Sequence, residues 1–238
     1  MFLEQFFQSN GNLTQISAEQ GSRFAKEVAN DFNPLHNADS KRFCVPGDLL
    51  FSLVLKKLGL SQNMTFKYTG MVGNNTALLF PETDTENLSI VDDKDKEYLQ
   101  VGRFGAVTDD AELIENFARN YVSFSGLSFP NILVPLMQKH NVMINPVRPM
   151  VIYESMAFEL HDLNLSNPIL KLTDSTLDVE GKRGTVKLHF AIYENDIEVG
   201  HGSKNMTIGG LREYNEEQMQ QLIDVYERSK QDYQQAVA

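Results

Sequence analysis

Apolar and polar positions recur along this chain in two periods. Phe24, Ala25, Val28 and Ala29 are spaced as on one helix face, behind Ser17-Ala18-Glu19-Gln20, where Ser and Gln have capping-box spacing. A helix is therefore predicted from about Ala18 to Asp31, stopped by Asn33-Pro34. From Gly47 to Leu58 the pattern is apolar nearly all round, which predicts a helix buried inside a sheet. Gly59 ends that helix. Met64, Phe66 and Tyr68 then alternate with Thr65, Lys67 and Thr69, the period of a half-buried strand. Further strands are predicted over 76–80, 88–91 and 98–107, and the charged run Asp92-Asp93-Lys94-Asp95-Lys96-Glu97 reads as a solvated hairpin or loop.

The second part of the chain repeats this order. A helix is predicted over 110–120, and the apolar stretch Phe129 to Lys139 echoes Val45 to Lys56. A strand over 150–160 matches the first strand, and more strands follow over 169–179, 184–193 and 197–208. Two halves result, 1–108 and 109–212. The tail, 213–238, carries Met219, Leu222, Ile223 and Tyr226 at helical spacing and reads as an amphipathic packing helix.

Composition narrows the function. The 238 residues carry 42% hydrophobic and 22% charged positions, as a globular protein does, and a net charge of -11 disfavours nucleic acid, which needs a basic footprint. Cys44 is the single cysteine, so no intramolecular disulfide forms; it reads as a small buried hydrophobe rather than a nucleophile. No Cys/His spacing indicates a metal, and His140, His161, His189 and His201 read as structural or surface residues. The Gly-rich pieces lack a phosphate-binding signature. The longest apolar run is far too short to cross a bilayer, and the N-terminal segment lacks the basic region of a signal peptide. A cytoplasmic location without membrane or nucleic-acid partners is expected.

One segment carries chemistry. In Asp31-Phe32-Asn33-Pro34-Leu35-His36 the Asn-Pro step supplies a turn through which a carboxylate and an imidazole could converge on one water. Such a pair is equipped for general acid/base work. Gly47 follows at a helix start and offers an N–H to developing negative charge. The structural reading of the same residues is that Asp31 caps a turn and His36 is a hydrogen-bonded loop histidine.

Together with Val45-Pro46-Gly47-Asp48-Leu49-Leu50, this segment resembles the MaoC-like (R)-specific enoyl-CoA hydratases over roughly residues 17 to 72. A hotdog fold, an antiparallel sheet wrapped around one long helix, is what that resemblance implies. With the repeat it gives a double hotdog of class α+β, two antiparallel sheets each around a central apolar helix, one chain forming the pseudo-dimer that single hotdogs make by association. It also implies roles: Asp31 and His36 activate water, the Gly47 N–H holds the thioester oxygen, and Asn33 helps shape the substrate site.

The chain departs from the family pattern at three places. Pro46 stands where the family has His, Asp39 lies three positions after His36 rather than two, and Asp48 puts a carboxylate in the first helical turn. There Asp48 suits the helix macrodipole but would oppose an enolate. The C-terminal half has no Asp or His between its two predicted helices, so one site per chain is expected, with that half as scaffold and tunnel wall. The leading function is addition of water to a 2-enoyl thioester of coenzyme A or acyl carrier protein, without metal or cofactor. Noncatalytic acyl-thioester binding or regulation, and thioester hydrolysis, are the alternatives, and homodimerisation is compatible with each. Lys41 and Arg42 are candidates for contact with coenzyme A phosphates.

Overall fold

A computed structural model describes residues 2–81, 83 and 85–237. A 3-10 turn at Phe2–Phe6 leads to strands β1 (Gln8–Asn10) and β2 (Leu13–Gln15), helix α1 (Ala18–Glu27), a 3-10 turn at Pro34–His36 and helix α2 (Gly47–Leu58). Strands β3 (Leu60–Tyr68), β4 (Leu78–Leu79), β5 (Asn87–Asp92) and β6 (Glu97–Thr108) follow. Helices α3 (Ala111–Gly126), α4 (Ser128–Asn131) and α5 (Leu133–Lys139) precede strands β7 (Val142–Met143), β8 (Val151–Leu160), β9 (Ile169–Glu180), β10 (Arg183–Glu194), β11 (Ile197–Gly209) and β12 (Arg212–Glu213), and helix α6 (Glu216–Val237) closes the chain.

The expectation of two sheets, one per half, gives way to one. Ten strands join in the order β1-β2-β4-β5-β6-β3-β8-β11-β10-β9, while β12 and β7 make a separate pair. The join is β3 on β8, antiparallel from Asn63 opposite Glu159 to Lys67 opposite Ser155. Each of these strands would otherwise expose a row of unpaired N–H and C=O groups, and each supplies the other's partner.

Helix α2 is where the all-round apolar pattern puts it. Leu49 to Leu55 are all buried, and Phe51 sits against Phe66, Phe117, Tyr121 and Phe158 from β3, α3 and β8. Gly59 ends the helix at φ 79, a conformation that glycine adopts without strain. Helix α1 opens with the predicted capping box: Ser17 Oγ accepts from Gln20 N at 3.1 Å and Gln20 Oε1 accepts from Ser17 N at 3.0 Å. It stops at Glu27, short of Asp31, and Asn30 follows in the left-handed region at φ 51.

The second apolar helix differs from expectation. Phe129 is extended (φ -118, ψ 130) inside α4, and Ile132 separates α4 from the short α5, so no continuous helix runs from Phe129 to Lys139. Pro130 is the physical reason, because its ring crowds the residue before it out of helical backbone. Leu133, Leu136 and Met137 of α5 still fill a second core with Val186, Leu188, Met206 and Ile208. Helix α3 runs six residues beyond the predicted end at 120, since Tyr121, Val122 and Phe124 continue its buried face. The acidic run is a hairpin, but Asp92 is buried rather than solvated: Oδ1 accepts from Lys94 N and Lys96 N, and Oδ2 from the Tyr98 hydroxyl. No described helix is long and apolar enough to cross a membrane.

Candidate active site

The Asn-Pro turn brings Asp31 and His36 together. Asp31 Oδ1 accepts from Asn33 N at 2.9 Å, and Asn33 Oδ1 accepts from Leu35 N at 3.1 Å, so two side-chain-to-backbone bonds fold the six residues into a 3-10 turn. Asp31 Oδ2 then faces His36 Nε2 at 3.7 Å. That separation is too long for a direct hydrogen bond. His36 Nδ1 lies 2.7 Å from Cys44 O, and a carbonyl only accepts, so Nδ1 carries the proton and Nε2 of the neutral ring is an acceptor. Asn33 is therefore a builder of the turn, its amide oxygen already committed.

Outside contacts fix the same turn. Asp31 N donates to Ala25 O at 2.8 Å. The Tyr226 hydroxyl of α6 donates to Asn30 O at 3.2 Å and accepts from Phe32 N at 3.3 Å, bracketing Asp31 on both sides. Phe32 also packs edge-on against Tyr226 and Tyr233. The C-terminal helix is thus part of the support of this site.

Gly47 opens α2, preceded by Pro46 without any side-chain cap. Among the described residues its N–H has no acceptor, as expected for a first-turn amide. A Cβ here would lie 2.9 Å from Tyr153 and 3.1 Å from Tyr68, so only glycine fits against these rings. Tyr68 and Tyr153 stack with centroids 4.7 Å apart, and the Tyr68 hydroxyl donates to Gly47 O at 3.0 Å. The Tyr153 hydroxyl bonds that of Tyr121. Burial pushes all three phenols well up from their ordinary pKa.

Asp48 stands in the first turn of α2, the place that suits a carboxylate at a helix start. It is buried, and Oδ2 accepts from Ser125 Oγ of α3 at 2.6 Å, while Lys204 Nζ of β11 donates to Ser125 Oγ. Burial raises the Asp48 carboxyl above the usual carboxylate range, against the pull of Lys204; burial likewise lowers the Lys204 ammonium, against the pull of Asp48 and Asp31. Ser125 and Lys204 escaped the motif reading because neither belongs to a short pattern. A signal for Lys204 was nonetheless present: it stands in phase with Met206 and Ile208, the inward positions of β11.

Asp31, His36, Gly47, Asp48, Ser125 and Lys204 line one cavity of about 420 Å3, whose other walls are mainly apolar, including Leu50, Val72 and Met206. Its mouth lies beside α6, where Val225 lines it while 59% exposed. The C-terminal half contributes to the wall: Lys204 and Tyr153 enter from β11 and β8. Lys41, Arg42 and Asp39 are exposed and outside the cavity wall. Among the described residues no group of three or more His, Cys, Asp or Glu side chains is placed to hold a metal ion.

Residues 1–217 match the model of a family described as "Protein of unknown function (DUF3581)". The chain belongs to that family. No curated protein matches it. Solved structures similar to this member of the family include a conserved protein of unknown function with hot dog fold from Alicyclobacillus acidocaldarius, at 10% identity over 87% of this chain and 98% of that one, TM-score 0.49. An acyl-CoA thioesterase II, TesB2, from Mycobacterium marinum is 10% identical over 91% of this chain and 99% of that one, TM-score 0.43. A structure described as a MaoC-like dehydratase is 9% identical over 86% of this chain and 98% of that one, TM-score 0.40.

Proposed function

We propose that this protein is an acyl-thioester enzyme of the hotdog type that adds water to a 2-enoyl thioester, carried on coenzyme A or acyl carrier protein. The observation that carries the reading is the pair Asp31 Oδ2 and His36 Nε2, both acceptors, 3.7 Å apart in the wall of an apolar cavity. One water can donate a hydrogen to each, which turns its lone pairs outward toward C3 of a bound enoyl group. Asp31 takes a proton from that water as the C3–O bond forms. Negative charge then moves through C2 to the thioester oxygen, where the Gly47 N–H at the start of α2 receives it. A proton returns from the Asp31–His36 pair to C2, so one water is added with no net change in protons. The Asp48 carboxyl, which departs from the family pattern, is held by Ser125 and offset by Lys204, which lessens its opposition to the enolate.

The test is loss of the enoyl-thioester absorbance on adding the protein, with acyl chains of several lengths on both carriers. Asp31→Asn is expected to lower the rate between about a hundredfold and about ten-thousandfold, the range for loss of a general base. No turnover on any of these substrates removes the hydratase reading. Release of free thiol in its place identifies hydrolysis.

A further inference from the structure

The polar cluster formed by Asp48, Ser125 and Lys204 takes no part in the addition of water, yet it lines the same cavity. These residues come from α2, α3 and β11, and each is more than nine-tenths buried, at 8%, 4% and 4% exposure. Ser125 stands between the charges, accepting from Lys204 and donating to Asp48 Oδ2 at 2.6 Å. Asp48 Oδ1 is buried with no hydrogen-bond partner, and the Lys204 ammonium lies 4.2 Å over the Tyr153 ring. An unpaired buried carboxyl oxygen is costly, and a plain alkyl chain packed against this wall would leave it so.

We propose that this cluster is a subsite for a hydroxyl group on the acyl chain, so that the substrates are hydroxylated acyl thioesters rather than simple fatty ones. The inference rests on the acyl-thioester reading and names its substrate class. A hydroxyl both donates and accepts, so it suits a wall that carries both a carboxyl and an ammonium, whether the pair is charged or has exchanged its proton. A carbonyl oxygen only accepts and offers nothing to an ionised carboxylate. A carboxylate-bearing chain would set a third negative group among Asp31, Asp48 and the single cation Lys204.

The test is equilibrium binding, which needs no chemistry. Butanoyl, ω-hydroxybutanoyl and succinyl thioesters, all saturated and none able to take up water, are titrated into the full-length protein on coenzyme A and on acyl carrier protein. The ω-hydroxy compound is expected to bind about tenfold tighter than butanoyl, the worth of a buried hydrogen bond, and succinyl more weakly than either. Asp48→Leu with Lys204→Met replaces the pair by apolar groups of similar size, a change that is often tolerated, and should bring the first two ligands within about twofold. If circular dichroism shows that this double variant is unfolded, the wild-type ligand series decides. Equal wild-type affinity for butanoyl and ω-hydroxybutanoyl overturns the proposal while leaving the acyl-thioester reading intact, as does a preference that survives in the folded double variant. No binding of any of the three overturns both.

Discussion

Gly126→Ala should destabilise this protein, although helix propensity alone argues the opposite. Gly126 is the last residue of α3, where alanine gains at most about 1 kcal/mol over glycine. A Cβ at that position, however, would stand 1.6 Å from Ala29 O and 2.7 Å from Ala29 C. Reaching even 3.0 Å from the oxygen requires a shift of about 1.4 Å by backbone rather than by a flexible side-chain end. The segment has little freedom to move: Ala29 is buried, its N–H bonds Phe24 O, Asn30 follows at φ 51, and Asp31 N bonds Ala25 O. Overpacking of this kind costs about 1–3 kcal/mol, and a backbone clash belongs at the upper end, so the net loss is about 2 kcal/mol. In a chain of 238 residues that lowers Tm by about 4–8 °C. The displacement continues into Asp31, where a misplacement of about 1 Å can cost about a hundredfold in rate. Thermal and urea unfolding followed by circular dichroism measure the first effect, and the enoyl-thioester assay the second. A variant as stable as wild type, or more so, would refute the claim that α3 and the Asp31 turn meet without room for a methyl group.

Other expectations follow from the same contacts. Tyr226→Phe keeps the ring packing on Phe32 and Phe129 but removes both hydroxyl bonds to the Asp31 turn; about 1 kcal/mol of stability should be lost, with kcat falling and KM little changed in steady-state kinetics. Lys204→Met leaves Asp48 buried without its cation. A carboxyl with a raised folded pKa keeps a proton that the unfolded chain releases, so stability is fullest below the ordinary value of 3.8 and falls as pH rises through the folded one. Urea unfolding should accordingly show a deficit against wild type that widens as pH is raised from about 3 to about 9, and a deficit constant over that range would count against this account. The Cys44 thiol, pushed up to about 11 by burial, should react with a disulfide reagent at neutral pH far more slowly in the folded than in the urea-unfolded protein.

Much of this architecture is legible in the sequence because local rules decide it. The capping box at Ser17 and Gln20, the apolar cylinder from Gly47 to Leu58 and the alternation through Met64, Phe66 and Tyr68 each bury or satisfy their own groups, and each forms where the pattern puts it. The Asp31–His36 turn is legible for the same reason, since Asn33 and Pro34 fold it with bonds spanning two residues. What was not legible depends on partners far along the chain. Whether the halves carry one sheet or two is settled by β3 on β8, a pairing of edges that neither strand's pattern specifies. At Phe129 two local signals conflict: Pro130 disfavours helical backbone there, while the apolar pattern repeats that of Val45 to Lys56, and the proline wins. Asp48 illustrates the limit most clearly. Its place in the first helical turn is legible, but its partners are not: contacts across 77 residues to Ser125, and from there across 79 to Lys204, hold it in the interior.

That long-range contact explains how the asymmetry of the two halves fits a single site. In the N-terminal half, Asp31, His36 and Gly47 occupy a turn and a helix start, positions fixed by neighbours in sequence. The C-terminal half has no equivalent turn among the described residues, and its apolar stretch is interrupted at Phe129 and again at Ile132, so it has no counterpart of the continuous helix α2. It instead sends Lys204 and Tyr153 inward from β11 and β8, strands aligned with the first half through the β3–β8 join. In two identical halves every residue added to one site would appear in both. With unequal halves in one chain that constraint is absent, and one half carries the Asp31–His36 turn while the other adds Lys204 to the same cavity. On this account a slip of the β3–β8 register by one residue would matter more to the site than many changes within the C-terminal half, because it would turn Met156 and Phe158, now buried behind α2, toward the other face of the sheet.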